Sequence, residues 1–321
     1  MNKYLRAGAG LFFALAACVA SAQSYPNKLV KIIVPYGPAG ISDIAARTLG
    51  TKLSAMWKQP VVVENRVGGA GVIGANAVAK AAPDGYTLLI GTVAEFTVTQ
   101  HLGKQPFNPV RDFIPVILLT DTPLMLVANA GAPFNNVREM VAYSKSQSGG
   151  LSFASPGIGT LNHLAGERFA FETGAKLTHI PYKGGAQAAL AVVSGEVPVG
   201  VAGATVVMAH IDAGKLKPIG VASQQRLKSR PEWPTLAEAG IADFVSSNWV
   251  AMAAPTGTPP EIIAKLNADV NTVLKMDDVR EQLAKIGAEP VGSTPDVLAA
   301  RIRVDSERYG KIIDHIKLKI D

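Results

Sequence analysis

The chain contains a single cysteine, Cys18, among 321 residues. No internal disulfide can form, so stability must come from burial alone. Charged residues make up 17% and aromatic residues 6%. There is no Lys/Arg block and no basic stretch interleaved with aromatics, which excludes a nucleic-acid footprint. Beyond the N-terminus no apolar run reaches membrane-spanning length, since Gly, Pro or charge interrupts each one. Catalytic signatures are also absent: the chain has no G-x-S-x-G elbow, no H-E-x-x-H and no second cysteine. The five histidines (His101, His163, His179, His210 and His315) are scattered. No cofactor or metal is implied.

The first 22 residues read as an export signal. Lys3 and Arg6 supply the positive start, Leu11 to Ala20 the short apolar run, and Ala20-Ser21-Ala22 the cleavage site. Leu15-Ala16-Ala17-Cys18 is also a lipobox, so lipidation of Cys18 is the alternative to simple cleavage. Removing Lys3 and Arg6 lowers the net charge from +6 to +4. The mature chain is expected to be a soluble periplasmic monomer, long enough for two domains.

Short β-branched runs alternate with helical patterns, which predicts an α/β fold with mostly parallel sheets. Strands are expected at 29–34, 61–63, 87–90, 151–154, 177–180, 197–202, 217–222 and 249–254. Three strand-to-helix turns contain glycine: Gly37-Pro38-Ala39-Gly40, Ser155 to Thr160, and Lys183-Gly184-Gly185. Glycine lets backbone N–H groups approach a ligand, and the first N–H groups of a helix lack internal partners. With the helix dipole these turns suit a carboxylate or phosphate, with Ser42, Ser155 and Thr160 adding hydroxyls. In open α/β sheets ligands collect at the carboxyl ends of the strands, where these turns lie. Gly69-Ala70-Gly71-Val72-Ile73-Gly74 matches G-x-G-x-x-G, with Glu95 at a tolerable distance. However, five residues separate it from its strand and the acid lies beyond a different strand, so a dinucleotide site is rejected.

Several ordered motifs resemble one known family, the Bug-type solute receptors of tripartite tricarboxylate transporters. They include Val34-Pro35-Tyr36-Gly37-Pro38-Ala39-Gly40 with Asp43 and Arg47, and Pro83-Asp84-Gly85-Tyr86-Thr87-Leu88-Leu89. Ala154-Ser155-Pro156-Gly157-Ile158-Gly159-Thr160 with His163, Pro181-Tyr182-Lys183-Gly184 and Ala254-Pro255-Thr256-Gly257-Thr258-Pro259 follow in order. The resemblance implies a type II periplasmic-binding-protein fold, a Venus flytrap of two α/β lobes. It divides the chain into residues 25–124 plus 248–321 and residues 125–247. It also implies a non-enzymatic receptor that hands a small carboxylate to a membrane permease. Carried over residue by residue, the ligand would touch Tyr36, Gly37, Ala39, Gly40, Ser42 and Asp43, then Thr92 and Phe96. In the second lobe it would touch Ser155, Gly157, Gly159, Thr160, His163, Tyr182, Lys183, Gly184, Ala202 and Gly203. Two departures stand out. Ala202-Gly203 lies where the family often carries an Asp, which favours a carboxylate without an amine. Ala39 replaces a usual Gly. The alternatives are a ligand-presenting accessory to a membrane kinase, or an exported hydrolase using Ser155 with His163.

Overall fold

In the computed structural model the described residues are 25–318 apart from Ala39 and Gly287. The export segment with Cys18, and Ala39, lie outside the described residues. Ten strands form one continuous sheet: β1 Val30–Val34, β2 Val61–Asn65, β3 Thr87–Thr92, β4 Phe113–Asn129, β5 Leu151–Ser155, β6 Leu177–Pro181, β7 Val199–Gly203, β8 Leu216–Val221, β9 Ser247–Pro255 and β10 Glu289–Pro290. The helices are α1 Ile41–Trp57, α2 Val72–Ala79, α3 Pro109–Asp112, α4 Val137–Ser146, α5 Leu161–Thr173, α6 Gly185–Ser194, α7 Ala204–Asp212, α8 Pro260–Leu274, α9 Asp277–Lys285 and α10 Pro295–His315. Among the described residues no helix is long and apolar enough to cross a membrane.

The sheet has two halves built on one plan. The first runs β2-β1-β3-β9-β4 and the second β6-β5-β7-β4-β8. In each half three parallel strands are followed by one antiparallel strand, β9 or β4. The 17-residue β4 belongs to both halves. It pairs with β9 through Pro123, then with β7 and β8 from Leu124 and Met125 onward. The run of β4 does not read as one strand from the sequence, because Pro115 and Pro123 interrupt it. Pro115 sits where the β9 register shifts, and Pro123 is the last residue paired with β9 before the partners change. Proline, lacking an N–H, is accommodated where the ladder is already broken.

Side chains alternate along the strands, so the sheet buries both faces. On one face of the first half, Ile32, Val34, Leu88, Ile90, Leu119 and Met252 pack beneath α1, α8 and α9. On the corresponding face of the second half, Met125, Val127, Ala154 and Val221 pack beneath α6 and α7. The opposite face is one core shared by both halves, from Leu89 and Phe96 through Leu124 to Phe153 and Phe169. There α10 grips the chain as it returns to the first half. Asp305, 1% exposed, accepts from Trp249 Nε1 at 2.9 Å, Arg301 Nε at 2.6 Å and Arg308 Nη1 at 2.8 Å. Arg301 also donates to Ser247 Oγ at 2.9 Å, and Arg308 to the Val245 carbonyl at 3.1 Å.

Candidate functional site

The register shows where the strand ends point. Thr92, the last residue of β3, lies level with Val250 of β9, which pairs with Thr120 of β4. Gly203, the last residue of β7, pairs with Leu124 of β4. Because β7 runs antiparallel to β4 and β3 parallel to it, the carboxyl ends of both strand sets converge on the middle of β4. Thr120 and Leu124 are only about 13 Å apart at 3.3 Å per residue. The helix α7 begins at this line directly after β7, and α1, α5 and α6 follow the turns that leave the carboxyl ends of β1, β5 and β6.

Three of these four helices begin without a side-chain cap, at Gly40, Gly184 and Gly203. Uncapped first-turn N–H groups must find another acceptor, and an anion is the natural one. Among the described residues, Ile41, Ser42, Gly185, Ala186, Ala204 and Thr205 have no hydrogen-bond acceptor for their backbone N–H groups. The helix α5 differs: Thr160 Oγ1 accepts from His163 N at 3.3 Å and donates to the Gly157 carbonyl at 2.7 Å. In the same turn Gly159 N–H donates to His163 Nδ1 at 3.1 Å. The residues expected at 155–163 are therefore together, but Thr160, Gly159 and His163 largely satisfy one another.

Ser155 is fully buried, and its hydroxyl lies 2.6 Å from His179 Nε2. His179 was not anticipated as part of the site. It stacks on His163 with centroids 3.8 Å apart, and Phe153 completes the column. Burial and the neighbouring His163 push the His179 pKa down from 6.5 to about 4. Glu167 lies 3.5 Å from His163 Nε2.

In the first half Tyr36, Thr92 and Glu95 meet. The Tyr36 hydroxyl donates to Glu95 Oε1 and lies 3.3 Å from Thr92 Oγ1. Asp43 is buried and plays a supporting part: it takes Asn65 Nδ2 at 2.8 Å and Arg47 Nε at 3.1 Å, while Asn65 holds the Tyr36 carbonyl at 2.9 Å. Ser42 is buried in the first turn of α1. Phe96 departs from its expected place on a cleft wall. It is fully buried and stacks on Trp249 at 5.7 Å, because the wide helical turn Ala94–Val98 directs it into the shared core. Ala202 likewise lies in the core under α6 and α7. Tyr182 points its hydroxyl at Glu196 (2.8 Å), Lys183 is exposed, and Tyr182 N–H binds the Ser155 carbonyl at 2.9 Å. A groove of about 970 Å³ opens beside the crossing, between Thr205 of α7 and Arg280 of α9, with Thr122 and Pro123 at its base. It begins at the start of α7 but is not lined by the turns at 36–43, 155–163 or 182–184.

Comparison with known proteins matches residues 45–318 to the receptors of the tripartite tricarboxylate transporter family, TctC. Protein BugT of Bordetella pertussis (strain Tohama I) is 37% identical over 315 residues, 97% of either chain. A ligand-free TctC solute-binding protein from Polaromonas superposes with a TM-score of 0.84 at 30% identity, covering 91% of this chain and 100% of its own. A protein of R. palustris with adipate superposes with a TM-score of 0.74 at 31% identity, covering 90% of this chain and 97% of its own.

Proposed function

Because this chain belongs to the receptors of the tripartite tricarboxylate transporter family, we propose that it captures a small dicarboxylate between two lobes. The lobes are residues 25–124 with 248–321, and residues 125–247. The observation supporting this reading is that the uncapped starts of α1, α6 and α7 follow the carboxyl ends of two strand sets that run toward the middle of β4 from opposite directions. Each start is a positive pole with free N–H groups, so a ligand with a carboxylate at each end engages both lobes and favours their closure. The adipate held by the R. palustris relative is a ligand of this kind. Gly203, at the start of α7, offers no acid to an ammonium group, which favours dicarboxylates over amino acids. Release to a membrane permease from the periplasm completes the role.

The geometry favours capture over turnover. Ser155 is buried and pairs with His179, not His163, and Glu167 approaches His163 instead of supporting His179. Among the described residues this cluster therefore presents a buried serine, not an exposed nucleophile with an oriented base. A thermal-shift and calorimetric screen of adipate, malate, aromatic acids and glutamate tests the reading. At one hundred times its dissociation constant, a binder adds about 2.7 kcal/mol of stability. Stabilisation by dicarboxylates and none by glutamate is expected. Failure of every organic acid to bind refutes the receptor role, and preference for glutamate refutes the amine-free assignment.

A further inference from the structure

Glu95 is a wholly buried acid with no cation among its contacts with the described residues. One carboxyl oxygen, Oε2, takes the Thr92 N–H at 2.7 Å and the Thr92 hydroxyl at 3.0 Å. Among the described residues the other, Oε1, meets only the Tyr36 hydroxyl. Gly71 makes room for it: a Cβ there would lie 2.1 Å from Oε1. Here the glycine-rich motif and Glu95 do meet, with the acid filling the space left by the glycine. The turn carrying Glu95 also packs against α10 and α3. On those helices Asp305 is engaged with Trp249, Arg301 and Arg308, and Asp112 with Arg111, while His101 in the adjoining turn meets Ser306 Oγ at 2.9 Å.

Two proton arrangements fit these contacts. With Glu95 ionised, Tyr36 spends its proton on Oε1, and the phenol oxygen offers only lone pairs to the cleft. An approaching carboxylate finds no donor there. With the proton on Oε1, Glu95 donates to the Tyr36 oxygen, and the Tyr36 hydroxyl is released to donate outward.

We propose that Glu95 and Tyr36 form a proton relay. Carboxylate capture holds one solvent-derived proton on Glu95, so that Tyr36 donates to the bound anion. This rests on the receptor reading, which places the Tyr36 turn at the ligand. Burial, the dominant influence on Glu95, favours its neutral form. Glu95 is thus a positioning residue acting through Tyr36.

Calorimetry of the whole mature protein with adipate tests the relay, between about pH 6 and pH 9, clear of the ligand's own carboxyl titration. Measurements in phosphate and in Tris separate proton uptake from binding heat. The wild type is expected to weaken by about tenfold per pH unit above the Glu95 titration and to take up as much as one proton per ligand. Glu95→Gln keeps a donor toward the Tyr36 oxygen, so its binding should persist with no pH slope and no uptake. Tyr36→Phe should bind about tenfold more weakly and show no uptake. Flat wild-type affinity with no uptake overturns the relay while leaving the receptor reading intact, and needs no variant. A slope that persists in Glu95→Gln also overturns it, because the proton then belongs to another group. If adipate and the other acids fail to bind at every pH, the receptor reading falls and the relay with it.

Discussion

If the start of α6 holds the ligand as proposed, Gly185 offers a way to delete one donor without disturbing the fold. It is the first residue of α6, its N–H has no acceptor among the described residues, and its neighbours stand 3.8 Å or more from where a Cβ would be. Proline is well suited to a first helical position. The preceding Gly184 has ψ near 163°, an extended value compatible with a following proline. Gly185→Pro should therefore fold with unchanged or slightly raised stability, by about 0.4–1 kcal/mol, through the unfolded chain. Gly185→Ala should gain similarly while keeping the N–H. If the start of α6 holds a carboxylate, the proline variant loses a charge-assisted hydrogen bond of about 1.5–3 kcal/mol. At about 1.4 kcal/mol per decade, the dissociation constant for adipate rises about 10- to 150-fold. Calorimetry of both variants, with urea unfolding as the folding check, gives the comparison. Equal adipate affinity for a folded Gly185→Pro and Gly185→Ala, within twofold, would refute the assignment of the ligand to this helix start.

Asp305→Ala removes the buried acceptor shared by Trp249, Arg301 and Arg308. The two arginines keep 23% and 19% of their side-chain surface and can recover water, so the loss lies near the lower end for a broken buried pair, about 3 kcal/mol. Urea unfolding measures it, and a loss below about 1 kcal/mol contradicts the view that this network fastens the crossing. His179 gives a pH prediction. Its folded value of about 4 lies below the ordinary 6.5, so the unfolded chain takes up the proton first. Its contribution is intact above pH 6.5 and is lost as pH falls toward 4, amounting to about 1–2 kcal/mol after allowing for its partial exposure. Stability of His179→Gln measured over the same window should fall less steeply; a slope identical to wild type contradicts this.

The parallel strands and their glycine turns were legible because apolar runs ending in Gly, Pro or Ser leave few other local solutions. The long β4 was not, since its prolines signal interruption when their tolerance depends on a partner change visible only in three dimensions. Phe96 shows a second limit. The family resemblance placed it at the ligand, but the wide helical turn at Ala94–Val98 rotates it onto Trp249. Glu95 was noticed only as a partner for a dinucleotide motif. Its actual role depends on the missing Cβ of Gly71, a contact between segments that linear spacing does not encode. His179 gave a weaker signal still. Its adjacency to Ser155 follows from the parallel pairing of β5 and β6, in which Phe153 is level with His179.

The two halves share a strand order but not a chemistry, and this asymmetry bears on what kind of anion can close them. The second half contributes two uncapped helix starts, α6 and α7, whereas the first contributes one, α1, backed by the Tyr36 hydroxyl. A ligand shifts an open–closed equilibrium only by the difference between its affinities for the two states. An acid with one carboxylate is held by whichever half it reaches, and it has little reason to prefer the closed form. If the proposed two-lobe receptor reading holds, a dicarboxylate meets the second pole only when the halves approach, so its second carboxylate is the part that favours closure. Chain length between the carboxylates should then govern closure more strongly than it governs first contact.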